Sequence, residues 1–140
     1  QRPNTLSCVL HISAPGQASA LLTGDIEREQ EWALVGRLGE SLRSEVLLVP
    51  HHGSRTSSTP VFLEAVRPRV AVVQSGYRNR FGHPAEDVVQ RYRERGLTWV
   101  NSPVCGAWRW RSDEPGAGSC QRDLARRYWH HGPADPPAGG

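Results

Sequence analysis

Three short polar clusters in this 140-residue sequence carry side chains able to do chemistry: Thr23-Gly24-Asp25, His51-His52-Gly53-Ser54 and Gly82-His83-Pro84. One carboxylate and two or three imidazoles suit a divalent ion, because neutral imidazole nitrogen and carboxylate oxygen are good ligands for zinc and, more loosely, for manganese. A carboxylate can also bridge two ions, and a paired site can generate hydroxide and clamp a phosphodiester. Each cluster has a structural reading as well. Asp25 after Thr-Gly is equally a turn residue and a cap for the next helix. His83 in Gly-His-Pro is equally a loop histidine ahead of a helix. His51 and His52 on a strand would face opposite sides, but after Pro50 they can turn together into a loop. His11, inside a strand-like run, and His130-His131, beside the tail, read as structural or solvated. Trp108 and Trp110 would offer base-stacking surface, and read first as packing residues.

The elements that must position these clusters follow from periodicity. Residues 6–13 and 18–23 are strand-like runs separated by Ala14-Pro15-Gly16-Gln17, a hairpin pattern. From Ile26 the spacing of Trp32, Val35, Leu38 and Leu42 predicts an amphipathic helix with Glu27, Glu29 and Glu31 near its start, weakened by Gly36 and Gly39. Residues 46–49, ending at Pro50, and residues 70–73 read as short strands buried on both faces. Thr59-Pro60 has the form of an N-cap and first-turn proline for a helix through Val66, which Pro68 stops. Pro84 leads into a helix with Val88, Val89 and Tyr92 on one face and Gly96 as its stop. Residues 97–100 and 104–110 read as two more strands, and 121–129 as a last helix. The order ββαβαβα predicts an α/β (α+β) fold in which each polar cluster follows a strand. All three clusters then fall at the carboxyl ends of strands, along one sheet edge where active sites are assembled.

Composition narrows the class. All seventeen basic residues are arginine against fourteen acidic ones, and the net charge of +3 does not by itself mark a nucleic-acid binder. There is no apolar run long enough to span a bilayer and no signal-peptide pattern. Cys8, Cys105 and Cys120 lack CxxC spacing, which argues against a zinc finger or a thioredoxin-like site; Cys105 and Cys120 could pair in an oxidising compartment. The absence of Met and the start at Gln1, close to a strand-like run, read as an excerpt of a longer protein.

Leu21-Leu22-Thr23-Gly24-Asp25-Ile26-Glu27, then Val49-Pro50-His51-His52-Gly53-Ser54-Arg55-Thr56-Ser57-Ser58, then Ser75-Gly76-Tyr77-Arg78-Asn79-Arg80-Phe81-Gly82-His83-Pro84 form a succession. In this order they resemble the C-terminal metallo-β-lactamase-like domain of ComEC-type DNA-internalisation (competence) proteins. The resemblance runs from about Asn4 to Trp129. It implies the second half of a four-layered αββα sandwich over residues 1–131, while the proline and glycine content of 132–140 reads by itself as a disordered tail. It also implies a metal-dependent nuclease-like domain on a polytopic inner-membrane protein. That domain would lie on the periplasmic face, working with single-stranded DNA, the channel portion of the same protein and other competence proteins.

Carried over by motif, Asp25 would be the metal-bridging carboxylate and His52 the later histidine ligand, with His51 beside it as ligand or neighbour. His83 would be a ligand or a proton donor to the leaving oxygen. Ser54 and the Gly53 backbone would hold a phosphate oxygen, and Arg55, Arg78 or Arg80 would offer charge to the DNA backbone. Two ions, manganese or zinc, are implied. The family's HxHxDH-like motif is absent from these 140 residues, so the chain by itself is expected to bind metal weakly, to cleave nothing and to expose apolar surface. Two other functions share the pattern: a metallo-β-lactamase-fold hydrolase of another substrate, and a catalytically silent module that guides DNA to a channel by phosphate contacts.

Overall fold

Short β-branched and leucine-rich runs alternate with helices along the chain, and the computed structural model, which describes residues 3–128, assembles them into one five-stranded sheet with helices packed on it. Strands β1 (Leu10–Ile12) and β2 (Ala20–Leu22) form the expected antiparallel hairpin. The chain then runs through α1 (Arg28–Leu38), β3 (Val46–Leu48), α2 (Pro60–Val66), β4 (Val70–Val73), α3 (Glu86–Glu94) and β5 (Thr98–Asn101). The sheet order is β1-β2-β3-β4-β5, with β2 to β5 parallel. The fold is therefore mixed α/β, as the pattern predicted. The tail, His130-His131 and the expected helix end at Trp129 lie outside the described residues.

Local chemistry sets the element ends. Thr59 caps α2 by accepting the Phe62 N–H at 3.3 Å, with Pro60 in the first turn, and Arg67 in a left-handed conformation ends the helix before Pro68. Cross-strand register puts Leu21, Leu47 and Ala71 on one sheet face. With Val73 they are fully buried in a core completed by Phe62, Leu63 and Val66 of α2 and Val88 and Tyr92 of α3. On the opposite face Leu10 and Ile12 are exposed, Val46 is buried, and Leu22, Leu48, Val70, Val72 and Val100 are half-buried. The strands read as buried on both faces are thus closed on the helical side and partly open on the other.

Several expectations need correction. The stripe predicted from Trp32 to Leu42 faces the core only in part: Leu42 is buried and Val35 packs against the core, whereas Trp32 is 55% and Leu38 42% exposed. The residue of α1 that is fully buried is Glu31, because its carboxylate binds a neighbouring loop. The first strand is shorter than residues 6–13, its start being a 3-10 turn at Pro3–Leu6. Residues 104–110 are not one strand: Pro103 sits in the first turn of a short helix α4 (Ser102–Cys105), and Gly106, at φ 72°, turns the chain into β6 (Trp108–Arg109). Strand β6 pairs with β7 (Ser119–Cys120), and the last described helix, α5, covers only Gln121–Leu124. Cys105 and Cys120 form a disulfide that ties α4 to β7. No described helix is long and apolar enough to cross a membrane.

Candidate functional site

The loops after β2, β3 and β4 meet at the carboxyl edge of the parallel sheet. The His51 N–H donates to the Gly24 carbonyl at 3.0 Å, and the Ala85 N–H donates to the Gly53 carbonyl at 2.8 Å. These two bonds stitch the Asp25 loop and the His83-Pro84 loop to the His51-His52 loop between them. A Cβ on Gly53 would lie 2.7 Å from Pro84 Cβ, so the close approach needs glycine.

Pro50–Gly53 is a 3-10 turn bent away from helical geometry. His51 (φ 49°), His52 (φ 56°) and Gly53 (φ 80°) are consecutively left-handed. Each such non-glycine residue costs on the order of 1 kcal/mol or more, and that strain concentrates at functional sites. The surroundings over-determine it. The Ser57 hydroxyl shares its one proton between the carbonyls of Pro50 (2.8 Å) and Ser54 (2.9 Å), and the Ser54 N–H donates to the His51 carbonyl (2.9 Å). Beneath the turn, the buried Thr23 hydroxyl donates to the Leu48 carbonyl at 2.7 Å.

The turn presents the imidazoles to the carboxylates. His52 Nδ1 is 2.6 Å from the Gln74 carbonyl oxygen, which can only accept, so Nδ1 carries the proton of that bond. The remaining nitrogen, Nε2, lies 3.5 Å from Asp25 Oδ1. An imidazole held by a backbone carbonyl at one nitrogen, with the other facing a carboxylate, is the arrangement that orients histidine ligands of metals. His51 Nδ1 lies 3.2 Å from Glu27 Oε1, off the line of a hydrogen bond, and is buried without a hydrogen-bond partner. His83 Nδ1 is likewise buried and without one. The His83 ring sits 6.1 Å from that of His51. Burial, and then the nearby His51 and His52, pull the His83 pKa down, so it is neutral at neutral pH.

The other sequence candidates are placed as follows. Ser54 is buried, and its hydroxyl pairs with that of Thr56 at 3.1 Å. Arg55 forms an exposed ion pair with Asp87 of α3, 3.3 Å away. Arg78 and Arg80 stand over the rings of Tyr77 and Phe81 in the loop that leads to His83.

Three residues near the site carried no sequence expectation of a role there. Glu27 approaches His51, accepts from Thr56 Oγ1 at 3.0 Å, and forms a capping box with Gln30. The Glu27-x-x-Gln30 spacing was the legible signal for that box. Glu31 accepts the N–H groups of Ser58 (2.5 Å) and Thr59 (2.8 Å), and burial drives its pKa up against those donors and Arg91. Arg91 donates to the Ser57 and Ser58 carbonyls at 3.0 and 3.1 Å, while Ser58 Oγ meets the buried Tyr92 hydroxyl at 2.8 Å. Residues 54–59, which follow the histidine turn, are thereby locked to α1 and α3.

No protein-family model matches the chain. Individual relatives do. The chain is 41% identical over 130 residues to competence protein ComA of Neisseria gonorrhoeae, an alignment covering 93% of this chain and 19% of that protein. It is 38% identical over 103 residues to recombination protein 2 of Haemophilus influenzae, covering 74% of this chain and 13% of the relative. It is 31% identical over 108 residues to ComE operon protein 3 of Bacillus subtilis, covering 77% and 14%. The chain therefore spans less than a fifth of the length of these curated relatives. With the Asp25 loop, the histidine turn and the His83 loop gathered at one sheet edge and relatives of this kind aligned over most of its length, the chain belongs to the ComEC family of competence proteins, matching one segment of them.

Proposed function

We propose that this segment forms part of a metal-dependent phosphodiesterase site, of the metallo-β-lactamase type, that acts on DNA during uptake by a longer membrane-embedded competence protein. The observation that carries the reading is the Asp25–His52 pair. With Nδ1 committed to Gln74, Nε2 of His52 is the nitrogen turned to an Asp25 carboxylate oxygen, 3.5 Å away. A nitrogen and a carboxylate oxygen so placed are a pair of donors that one cation would share. The donor set fits manganese or zinc, one or two ions, as part of a ligand set. Among the described residues no three His, Cys, Asp or Glu side chains gather as a complete one, so Asp25 and His52 would be two of the ligands, with His51 beside them.

When bound, such ions supply Lewis-acid charge and lower the pKa of water. The chain's own residues do the rest. The Gln74 carbonyl and the left-handed turn hold the His52 ring fixed, which avoids reorganisation on binding. His83 stands by as a neutral imidazole, an acceptor for a proton or a further ligand. Arg78 and Arg80, exposed beside His83, offer positive charge for a DNA phosphate. The relatives' names support the setting, since ComA is called a competence protein. Single-stranded DNA, the channel portion of the same protein and other competence proteins are the proposed partners, and the periplasmic face of the inner membrane the proposed location.

The test is manganese- and zinc-dependent cleavage of single-stranded DNA by a longer form extended upstream, beside its Asp25→Ala variant. Metal-dependent cleavage by the first and none by the second is the expected result. Metal binding without cleavage of any DNA points to another phosphoester substrate. DNA binding that survives chelation, Asp25→Ala and His52→Ala but falls steeply with salt overturns the enzymatic reading in favour of a guiding module.

A further inference from the structure

The loop from Gly76 to His83 alternates aromatic and cationic residues in the order Tyr77, Arg78, Asn79, Arg80, Phe81. A loop in water has little reason to expose aromatic rings, yet Phe81 is 66% and Tyr77 46% exposed. The exposure is imposed by the backbone. Asn79 Nδ2 donates to the carbonyls of Gly76 (3.2 Å) and His83 (2.7 Å), and the His83 N–H donates back to Asn79 Oδ1 (2.9 Å). The Gly82 N–H closes the tip on the Asn79 carbonyl at 3.1 Å. One asparagine thus staples both ends of the loop and leaves the rings standing outside it.

Phe81 is also tied to the site. Its ring stacks on His83 at 5.7 Å between centroids and 18° between planes, and His83 is the neighbour of His51. The Arg80 guanidinium sits 4.8 Å from the Phe81 centroid and that of Arg78 5.3 Å from the Tyr77 centroid. These cations are exposed, so little holds them on the rings but the ring quadrupole.

We infer that Phe81 is a base-stacking platform that takes an unpaired nucleobase of single-stranded nucleic acid and thereby sets the strand preference of the neighbouring site. This rests on the DNA-handling reading proposed above and deepens it. Every base has a π-face, so an aromatic platform accepts any sequence but only where the strand is unpaired and the base can leave its stack. As a base takes the place of the guanidinium on the ring, Arg80 turns to the adjoining phosphate, and charge and stacking act on the same nucleotide. Phe81 stacks on His83, and the His83 ring lies 6.1 Å from that of His51, tilted by 58°, so a strand held on Phe81 lies beside the histidine turn that carries His52.

The experiment is fluorescence anisotropy of the full chain, at low salt, with a labelled short oligothymidylate and with an abasic deoxyribose-phosphate strand of equal length. The platform predicts that the thymidylate binds about 10-fold more tightly, about 1.4 kcal/mol, and that Phe81→Ala removes most of this advantage without changing affinity for the abasic strand. Phe81→Trp, which restores a ring, recovers it. Equal binding of both strands, with Phe81→Ala silent or weakening both alike, overturns the platform and leaves the DNA-handling reading standing. Failure of the chain to bind either strand overturns that reading and the platform with it.

Discussion

Glu31 is the strongest single test of how the histidine loop is held. It is fully buried, and its two oxygens accept the Ser58 and Thr59 N–H groups at 2.5 and 2.8 Å. Glu31→Ala leaves both donors in the interior without an acceptor, at about 1–3 kcal/mol each. The void left by the truncated side chain adds to this. Relief of burying a carboxylate works the other way, and the upward pKa shift, caused first by desolvation, shows that this burial is costly. The net expectation is a loss of about 3 kcal/mol, or about 10 °C in Tm for a domain of this size. Thermal unfolding followed by far-UV circular dichroism measures it, and urea titration with an unchanged m-value confirms that stability rather than the unfolded state has moved. Glu31→Gln retains one acceptor oxygen and nearly the same volume, so it should lose only about 1 kcal/mol. A fall in Tm below about 2 °C for the alanine variant would refute the argument that Glu31 satisfies this loop.

Three further outcomes follow from the same geometry. Because the folded-state pKa of Glu31 is raised, its contribution is full below the unfolded pKa and is lost as pH rises through the folded one. The stability gap between the protein and its Glu31→Gln variant should therefore narrow as pH rises from about 4 to about 8, and a widening gap in urea titrations contradicts it. Gly53→Ala places a Cβ 2.7 Å from Pro84 Cβ at a φ of +80°, and should lower the urea-derived stability by about 2 kcal/mol or more. Reducing the Cys105–Cys120 disulfide, which closes a loop of sequence separation 15, should lower stability by about 3 kcal/mol; thermal melts with and without reductant test this, and unchanged melts would show that β6 and β7 hold without it.

Much of the frame was legible before any coordinates. The alternation of short apolar runs with 3.6-periodic segments set the order of β1 to β5 and their three connecting helices. Thr59-Pro60 and Gly96 marked helix ends because capping and left-handed backbone are local properties that neighbouring residues alone decide. The short elements after β5 were less legible. Residues 102–124 owe their form to a turn at Gly106, a disulfide and a two-residue pairing, none of which leaves a hydrophobic period. Trp32 misled for a related reason: periodicity reports apolar spacing, whereas α1 is seated by the buried polar residue Glu31 together with Leu34 and Val35, which leaves Trp32 outside.

The sequence by itself determined that Asp25, His51, His52 and His83 each follow a strand, and hence that they lie along one edge of a parallel sheet. Only the tertiary structure decided how they are held there. The commitment of His52 Nδ1 to Gln74, the approach of the His83 ring to His51 and the bonds that tie the turn to Gly24 and Ala85 all join residues far apart in the chain. Those contacts depend on how loops pack against each other, and the free energy of packing is a property of the assembled neighbours rather than of any one segment.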